Sequence, residues 1–276
     1  MGKTLYYQAD EQPKVISFDL SDVENLYVNE KQFDEWKELN PSVTVLKPFN
    51  YRVITVRDIV GDTPEEDVDR VIITTETNAP IMALMYSKGF AANPNEMMLS
   101  EAKAVTNSDL GALLGDYWEN EITFNEFQYF TSITEVPENF AVRSTLVEIT
   151  LPPSVTTIGV TAFMQYYEGN NFRAINGLDN VERINDWGFG DCNRMPYMYF
   201  PKANFVGECA FIGNGDGNEY NDYGIYRTVE FGLPYEQITF HAKSFKECKL
   251  VTIICNGVEL TPEQYTAVGA VKPEPQ

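Results

Sequence analysis

Residues 146–163 read Leu146-Val-Glu-Ile149-Thr-Leu151-Pro152-Pro-Ser-Val155-Thr-Thr-Ile158-Gly159-Val-Thr-Ala162-Phe163, and the chain around them repeats this arrangement. The next unit places apolar residues at the same positions after a constant interval. Four pairs of corresponding residues are each 26 apart: Leu146 and Phe172, Ile149 and Ile175, Ile158 and Ile184, Phe163 and Phe189. Four equal offsets indicate an internal repeat of the length found in solenoid proteins.

Further units extend this array in both directions. The third is shorter, because Phe189 and Phe211 are 22 residues apart, and the fourth, ending at Phe245, is delayed by an insert at 212–224. Partial units lie at 133–140 and 250–253. The sequence therefore predicts a repeat domain over residues 126–268, with a period of about 22–26 residues and a tail at 269–276.

Each part of the unit has a physical role. The pattern Leu-x-x-Ile-x-Leu predicts a short strand with alternate apolar side chains directed inward. Pro152 ends that strand because proline donates no ladder hydrogen bond. A second extended piece ends at Gly159, where glycine permits a tight corner, and the Ala162-Phe163 pair fills the core. One unit cannot bury its own apolar face, so stacked units must form the core.

These motifs resemble the BspA-like leucine-rich-repeat family, whose consensus is close to L-x-x-I-x-L-P-x-S-V-x-x-I-G-x-x-A-F-x-x-C. Cys192 and Cys248 occupy the terminal cysteine position, whereas His241 replaces the corner glycine and the last two full units lack the Ser-Val pair. The resemblance implies short parallel strands in a solenoid, an extracellular or cell-surface location, and adhesion to host proteins or other cells. No catalytic residue or cofactor is implied.

The first part of the chain, residues 1–125, predicts an α+β cap in front of the repeats. Phe33 and Trp36 fit one helical turn with an apolar face, and Arg52–Val60 alternates like a strand. A loop is expected from Asp62 to Asp69. Short helices are expected near Ala79–Lys88, Leu99–Val105 and Ser108–Leu114.

Charge and hydropathy exclude several partner classes. The net charge is −21, from 41 acidic and 20 basic residues, and such a field repels nucleic acid and anionic lipid headgroups. No apolar run approaches the ~20 residues that a membrane-spanning helix needs. The start of the chain is not a secretory signal as written, and a sequence with its signal removed would look the same. We expect a monomer.

Candidate chemical groups favour structural roles. His241, the only histidine, has no motif-encoded nucleophile or acid beside it, so we predict that the protein is not an enzyme. The four cysteines lack zinc spacing, and Cys192 and Cys248 recur at one repeat position, as buried core residues do. The insert at 212–224 alternates Asp, Asn and Gly, which could surround calcium, but a solvated loop is favoured because EF-hand glycine and glutamate positions are missing. No metal site is predicted, and the stretch 92–97 has only one carboxylate.

Aromatic residues in the third unit give the predicted ligand site. Met198 and Phe200 should point inward, which turns Tyr197 and Tyr199 outward. We expect Phe205 and Arg183 to share that outer surface. Exposed tyrosine and arginine form interaction hot spots, and tyrosine also stacks on sugar rings, although the same residues could simply cover the sheet.

Three functions follow as hypotheses. The first is a noncatalytic surface module that binds a host or neighbouring-cell protein or glycan through the repeat sheet. The second is a structural spacer or assembly protein of the cell envelope. The third is an accessory domain that targets a hydrolase to glycan.

Overall fold

The structure is a computed structural model that describes residues 3–6, 21, 23–29, 32–49, 69–115, 121–165, 172–213 and 227–273. The chain divides into two compact units, residues 1–67 and 68–276. The strand predicted at Arg52–Val60 and most of the loop predicted at Asp62–Asp69 lie outside the described residues.

The first unit contains a small parallel sheet and one helix. Strands β1 (Lys3–Tyr6), β2 (Val23–Asn29) and β3 (Leu46–Phe49) pair in that order. Helix α1 (Phe33–Leu39) connects β2 to β3 and buries Trp36. The helical turn predicted at Phe33 and Trp36 is confirmed, because its apolar face packs on residues of the sheet.

The second unit begins with a hairpin-like pair and three helices that lead into the repeats. Antiparallel strands are β4 (Val71–Thr74) and β5 (Glu96–Met98), and the helices are α2 (Thr75–Ser87), α3 (Leu99–Ala104) and α4 (Asn107–Leu110). The three predicted helices are thus confirmed in place, although α4 is shorter than expected. It ends where Gly111 adopts a φ of +47°. The boundary predicted between residues 125 and 126 lies within this unit.

One side of the solenoid carries the Leu-x-x-Ile-x-Leu strands. They form two sheets, one of three and one of four strands, with all pairs parallel except the last. In ladder order the first sheet is β10 (Ala174–Asn176), β8 (Leu146–Thr150) and β6 (Ile122–Phe124). The second sheet is β12 (Tyr197–Phe200), β14 (Arg227–Phe231), β16 (Val251–Cys255) and the antiparallel β17 (Val258–Glu259).

A second side is formed by two-residue strands in one continuous parallel sheet of five. Its strands in order are β7 (Glu135–Val136), β9 (Thr157–Ile158), β11 (Arg183–Ile184), β13 (Phe205–Val206) and β15 (Thr239–Phe240). Each turn therefore repeats the fold of its neighbour, and the predicted leucine-rich-repeat solenoid of short parallel strands is confirmed.

The third side of each turn is a ladder of backbone hydrogen bonds around the core phenylalanines. Phe163 N–H donates to Gly188 O at 2.9 Å, and Phe189 N–H donates to Ala210 O at 2.8 Å. Two residues before each phenylalanine the backbone is left-handed, with φ of +52° at Thr161 and 59° at Trp187. Non-glycine residues rarely adopt this conformation, so the inter-turn ladder must offset its cost.

The buried phenylalanines stack from turn to turn along the axis of the repeats. Ring centroids are 5.5 Å apart between Phe163 and Phe189, 5.7 Å between Phe189 and Phe211, and 4.7 Å between Phe211 and Phe245. Their ring planes are nearly parallel, within 9° to 12°. Such contacts add to the burial of the rings, so this stack is the main apolar spine of the solenoid.

Both ends of the repeat array are covered. At the first end, Asn78 Nδ2 donates to Thr123 O at 2.8 Å beside β6, and Asn107 Oδ1 accepts from Thr134 N–H at 2.9 Å beside β7. At the other end, β17 pairs with β16 and helix α5 (Pro262–Ala267) packs over the last turn. Covered strand edges do not readily pair with other chains.

The chain stays attached to the solenoid after α5. Val271 N–H donates to Cys248 O at 3.1 Å, and Lys272 Nζ lies 3.3 Å from Glu259 Oε1. The predicted tail, 269–276, therefore begins inside this closing segment rather than after it.

Candidate functional site

Strand β12 alternates as the sequence predicts. Met198 and Phe200 are buried in the core, whereas Tyr197 is 39% exposed and Tyr199 is half-buried. The inward and outward positions are therefore confirmed. The two tyrosines project from the same face of the four-stranded sheet because they are two residues apart on one strand.

Glu230 on the neighbouring strand orients the first tyrosine. The Tyr197 hydroxyl donates to Glu230 Oε2 at 2.5 Å, a short hydrogen bond to a charged acceptor. Glu230 is the register partner of Tyr199 in the parallel ladder. The two tyrosines and this carboxylate thus form a single cluster of outward side chains, which we call the tyrosine patch.

Arg183 and Phe205 form a second cluster, on the five-stranded sheet. They are register partners on β11 and β13, and Arg183 Cζ lies 3.6 Å from the centroid of the Phe205 ring. The sequence-based expectation placed them on one outer surface with Tyr197 and Tyr199. The structure instead divides the four residues between two sheets, because the chain bends at residues 201–202 between β12 and β13.

A polar row on the three-stranded sheet was not predicted. Thr150 Oγ1 donates to Asn125 Oδ1 at 2.7 Å, and Asn125 Nδ2 donates to Glu148 Oε1 at 3.0 Å. Asn176 Nδ2 lies 3.4 Å from the same Glu148 oxygen. The signal was present in the sequence, since Glu148, Thr150 and Asn176 occupy the outward positions that flank the inward isoleucines.

The comparison with known families agrees with this geometry. Residues 116–216 match the family model described as the BspA type leucine-rich repeat region, in six copies. These repeats are of the BspA type. No curated protein and no solved structure matches the chain. The parallel strand pairing continues past the matched residues, because β14, β15 and β16 extend the same sheets.

The terminal cysteine of the BspA-type unit is buried and hydrogen-bonded. Cys192 Sγ donates to Phe163 O at 3.2 Å, and Cys248 Sγ donates to Phe211 O at 2.9 Å. All four cysteines of the chain are buried thiols. Burial raises the pKa of Cys192 well above its usual value and that of Cys255 to about 12. The predicted role as buried core residues is confirmed.

Native thiols should resist alkylation. At about pH 8 an exposed cysteine is partly thiolate, whereas a buried thiol with a raised pKa stays protonated. We expect iodoacetamide to modify none of the four cysteines of the folded protein during the time in which the urea-unfolded protein reacts completely. Mass spectrometry gives the count. One cysteine reacting at the same rate in both states would contradict the burial shown.

His241 lies at the corner of the turn that ends at Phe245. Its Nδ1 accepts a hydrogen bond from Lys243 N–H at 3.3 Å, and its side chain is exposed. The nearby Ser244 hydroxyl donates to the backbone oxygens of Val206 and His241, at 3.1 and 2.7 Å, rather than to the imidazole. The contacts around His241 are therefore those of a turn.

The described ranges also bear on metal binding and on membrane insertion. There, no group of three or more His, Cys, Asp or Glu side chains is placed to hold a metal ion. Most of the insert at 212–224 lies outside these ranges, so calcium binding there stays a hypothesis. No helix among the described residues is both long and apolar enough to cross a membrane.

Proposed function

We propose that this protein is a noncatalytic recognition module of the cell surface, and that its repeat sheets bind a protein or glycan of a host or neighbouring cell. The observation that carries the proposal is the tyrosine patch. Tyr197 stands exposed on a rigid ladder and is held in one orientation by Glu230. A preoriented aromatic side chain loses little conformational entropy on binding.

The repeat family supports the general class. BspA-type repeats occur in proteins that are often surface-associated or extracellular, and leucine-rich repeats generally mediate protein interactions. The described part of the solenoid is also built to be stiff, because the five-stranded sheet and the backbone ladder around the phenylalanines tie each turn to the next. Binding residues on a rigid scaffold keep their relative positions.

The alternative is a structural spacer of the cell envelope that has no host ligand. A spacer that assembles end to end would use open strand edges. The covers at both ends of the solenoid, Asn78 and Asn107 at one and β17 with α5 at the other, disfavour that mode of assembly. We therefore place recognition first.

The recognition proposal predicts a tyrosine-dependent ligand. We expect the purified protein to bind saturably to at least one member of an array of extracellular proteins, mucins and glycans. Replacing both tyrosines (Tyr197→Ala with Tyr199→Ala) should weaken that binding at least about 30-fold, because hot-spot residues contribute about 2 kcal/mol or more. Surface plasmon resonance on the array hit measures the change.

Tyr86→Ala is the matched control, since Tyr86 is 48% exposed and belongs to α2 rather than to a repeat sheet. It should leave affinity unchanged, and thermal unfolding should show that the double variant is folded. A hit that survives the double substitution would move the site away from the tyrosine patch. No hit for the folded wild type would favour the spacer.

A further inference from the structure

Arg183 is held in place by two contacts on the outer face of the five-stranded sheet. Its guanidinium carbon lies 3.6 Å from the centre of the Phe205 ring, which is close for a cation over an aromatic face. Its Nε donates to Asn185 Oδ1 at 2.9 Å. The side chain is exposed, so its orientation comes from these contacts rather than from burial.

The terminal nitrogens of Arg183 have no carboxylate partner among the residues that the structure describes. The chain has 41 acidic and 20 basic residues, so acceptors are abundant. Arg173, by comparison, lies 3.6 Å from Glu121 Oε2. An arginine held against a ring, and bound among the described residues through Nε, leaves its two Nη groups in the planar arrangement that matches a carboxylate.

We infer that Arg183, Phe205 and Asn185 form a recognition site for a single carboxylate of a protein partner, an aspartate or glutamate side chain. Asn185 fixes the guanidinium, Phe205 supplies an apolar surface beside it, and the Nη groups bind both carboxylate oxygens. Thr157 and Thr239 lie in the same row of the sheet, on either side of this pair, by ladder register. This inference rests on the proposed recognition function and names the chemistry of one contact.

The charge of the chain favours a protein carboxylate over a polyanionic glycan. The net charge of −21 repels every acidic group of an acidic polysaccharide. In a neutral or basic peptide it repels only the one acidic side chain. The basic residues around such an acid are attracted by the same field. Arg183 would then select the partner's acid within a surface that otherwise attracts cations.

The test reads Arg183 directly. In the ¹⁵N-labelled full chain, the Nε–Hε signal of Arg183 is assigned by its loss in Arg183→Lys. Sodium acetate is titrated into the protein, with sodium chloride at equal ionic strength as the control. A capped tetrapeptide, Lys-Gly-Asp-Lys, is then titrated in the same way, with the peptide that carries Asn in place of Asp as its control. We expect a saturable shift with acetate and with the Asp peptide only. In Phe205→Ala the affinity should fall about two- to fivefold.

The signal of Arg173, which already has Glu121 as its partner, is the internal control and should not shift saturably. Equal shifts with acetate and chloride, or with the Asp and Asn peptides, would overturn the site. Unchanged affinity in Phe205→Ala would remove the role of the ring. Glucuronate, the carboxylate of acidic glycans, is titrated as well. If glucuronate binds more tightly than the Asp peptide, the inference that the carboxylate comes from a protein is wrong. The Tyr197→Ala/Tyr199→Ala variant should keep the acetate response, so failure of the tyrosine patch is separable from failure of this inference.

Discussion

Replacing Phe211 by alanine is expected to lower the free energy of unfolding by about 3–5 kcal/mol. Phe211 is fully buried and stacks on Phe245 at 4.7 Å and on Phe189 at 5.7 Å. Truncation removes ring contacts on both neighbouring turns and leaves a cavity between them. Because stability in a solenoid depends on the interfaces between adjacent repeats, one such gap weakens both sides at once. Urea unfolding followed by circular dichroism measures the loss.

Two companion variants make this result specific. Phe211→Leu retains most of the volume and should cost clearly less than Phe211→Ala. Val160→Ala changes an exposed side chain in a turn of the same solenoid and should stay within about 0.5 kcal/mol of wild type. A loss below about 1 kcal/mol for Phe211→Ala would show that the phenylalanine stack is not the spine of the fold.

Substituting Gly159 by alanine should lower the free energy of unfolding by about 1–3 kcal/mol. The backbone of Gly159 is not left-handed, so conformational freedom is not the reason for glycine. A Cβ there would lie 2.5 Å from Val136 O and 2.8 Å from the carbonyl carbon of Pro137, both of which are backbone atoms of the preceding turn. The Gly159 N–H also donates to Val136 O at 2.8 Å, so the turns cannot separate without losing a ladder bond.

Asn185→Ala is the matched control, because Asn185 occupies the same corner position one turn later and already carries a Cβ. That change removes an exposed contact with Arg183 and should alter stability by no more than about 0.5 kcal/mol. Thermal and urea unfolding of both variants provide the comparison. Equal stability of Gly159→Ala and wild type would mean that the corner has room that the structure does not show.

The corner residues illustrate what a sequence pattern can and cannot explain. The repeat predicted glycine at this corner for its conformational freedom, whereas the structure assigns it to close approach of the preceding turn. The left-handed residues lie elsewhere, at positions held by Thr161, Trp187 and Cys209. No sequence rule predicts threonine or tryptophan there, because the inter-turn ladder, not local preference, imposes that conformation.

In the candidate site, too, the sequence predicted local features but not the contacts between distant residues. Alternation on one strand was sufficient to predict that Tyr197 and Tyr199 face outward, since the pleat is a local property. The pairing of Tyr197 with Glu230 joins residues 33 positions apart across the insert, and no local sequence pattern links them. The polar row of Asn125, Glu148 and Thr150 was overlooked for a similar reason, because each residue alone is an ordinary surface residue.

The sequence by itself determined the solenoid, because its apolar period of 22 to 26 residues can be buried only by stacking one turn on the next. It also determined the inward and outward faces of β12. Only the tertiary structure decided which outward residues contact one another, and which charged residue is buried. Arg227, the first residue of β14, is almost fully buried and its guanidinium donates to the carbonyl of Asn193. Burial of a charge depends on acceptors brought together by neighbouring turns, and those contacts arise only when the turns stack.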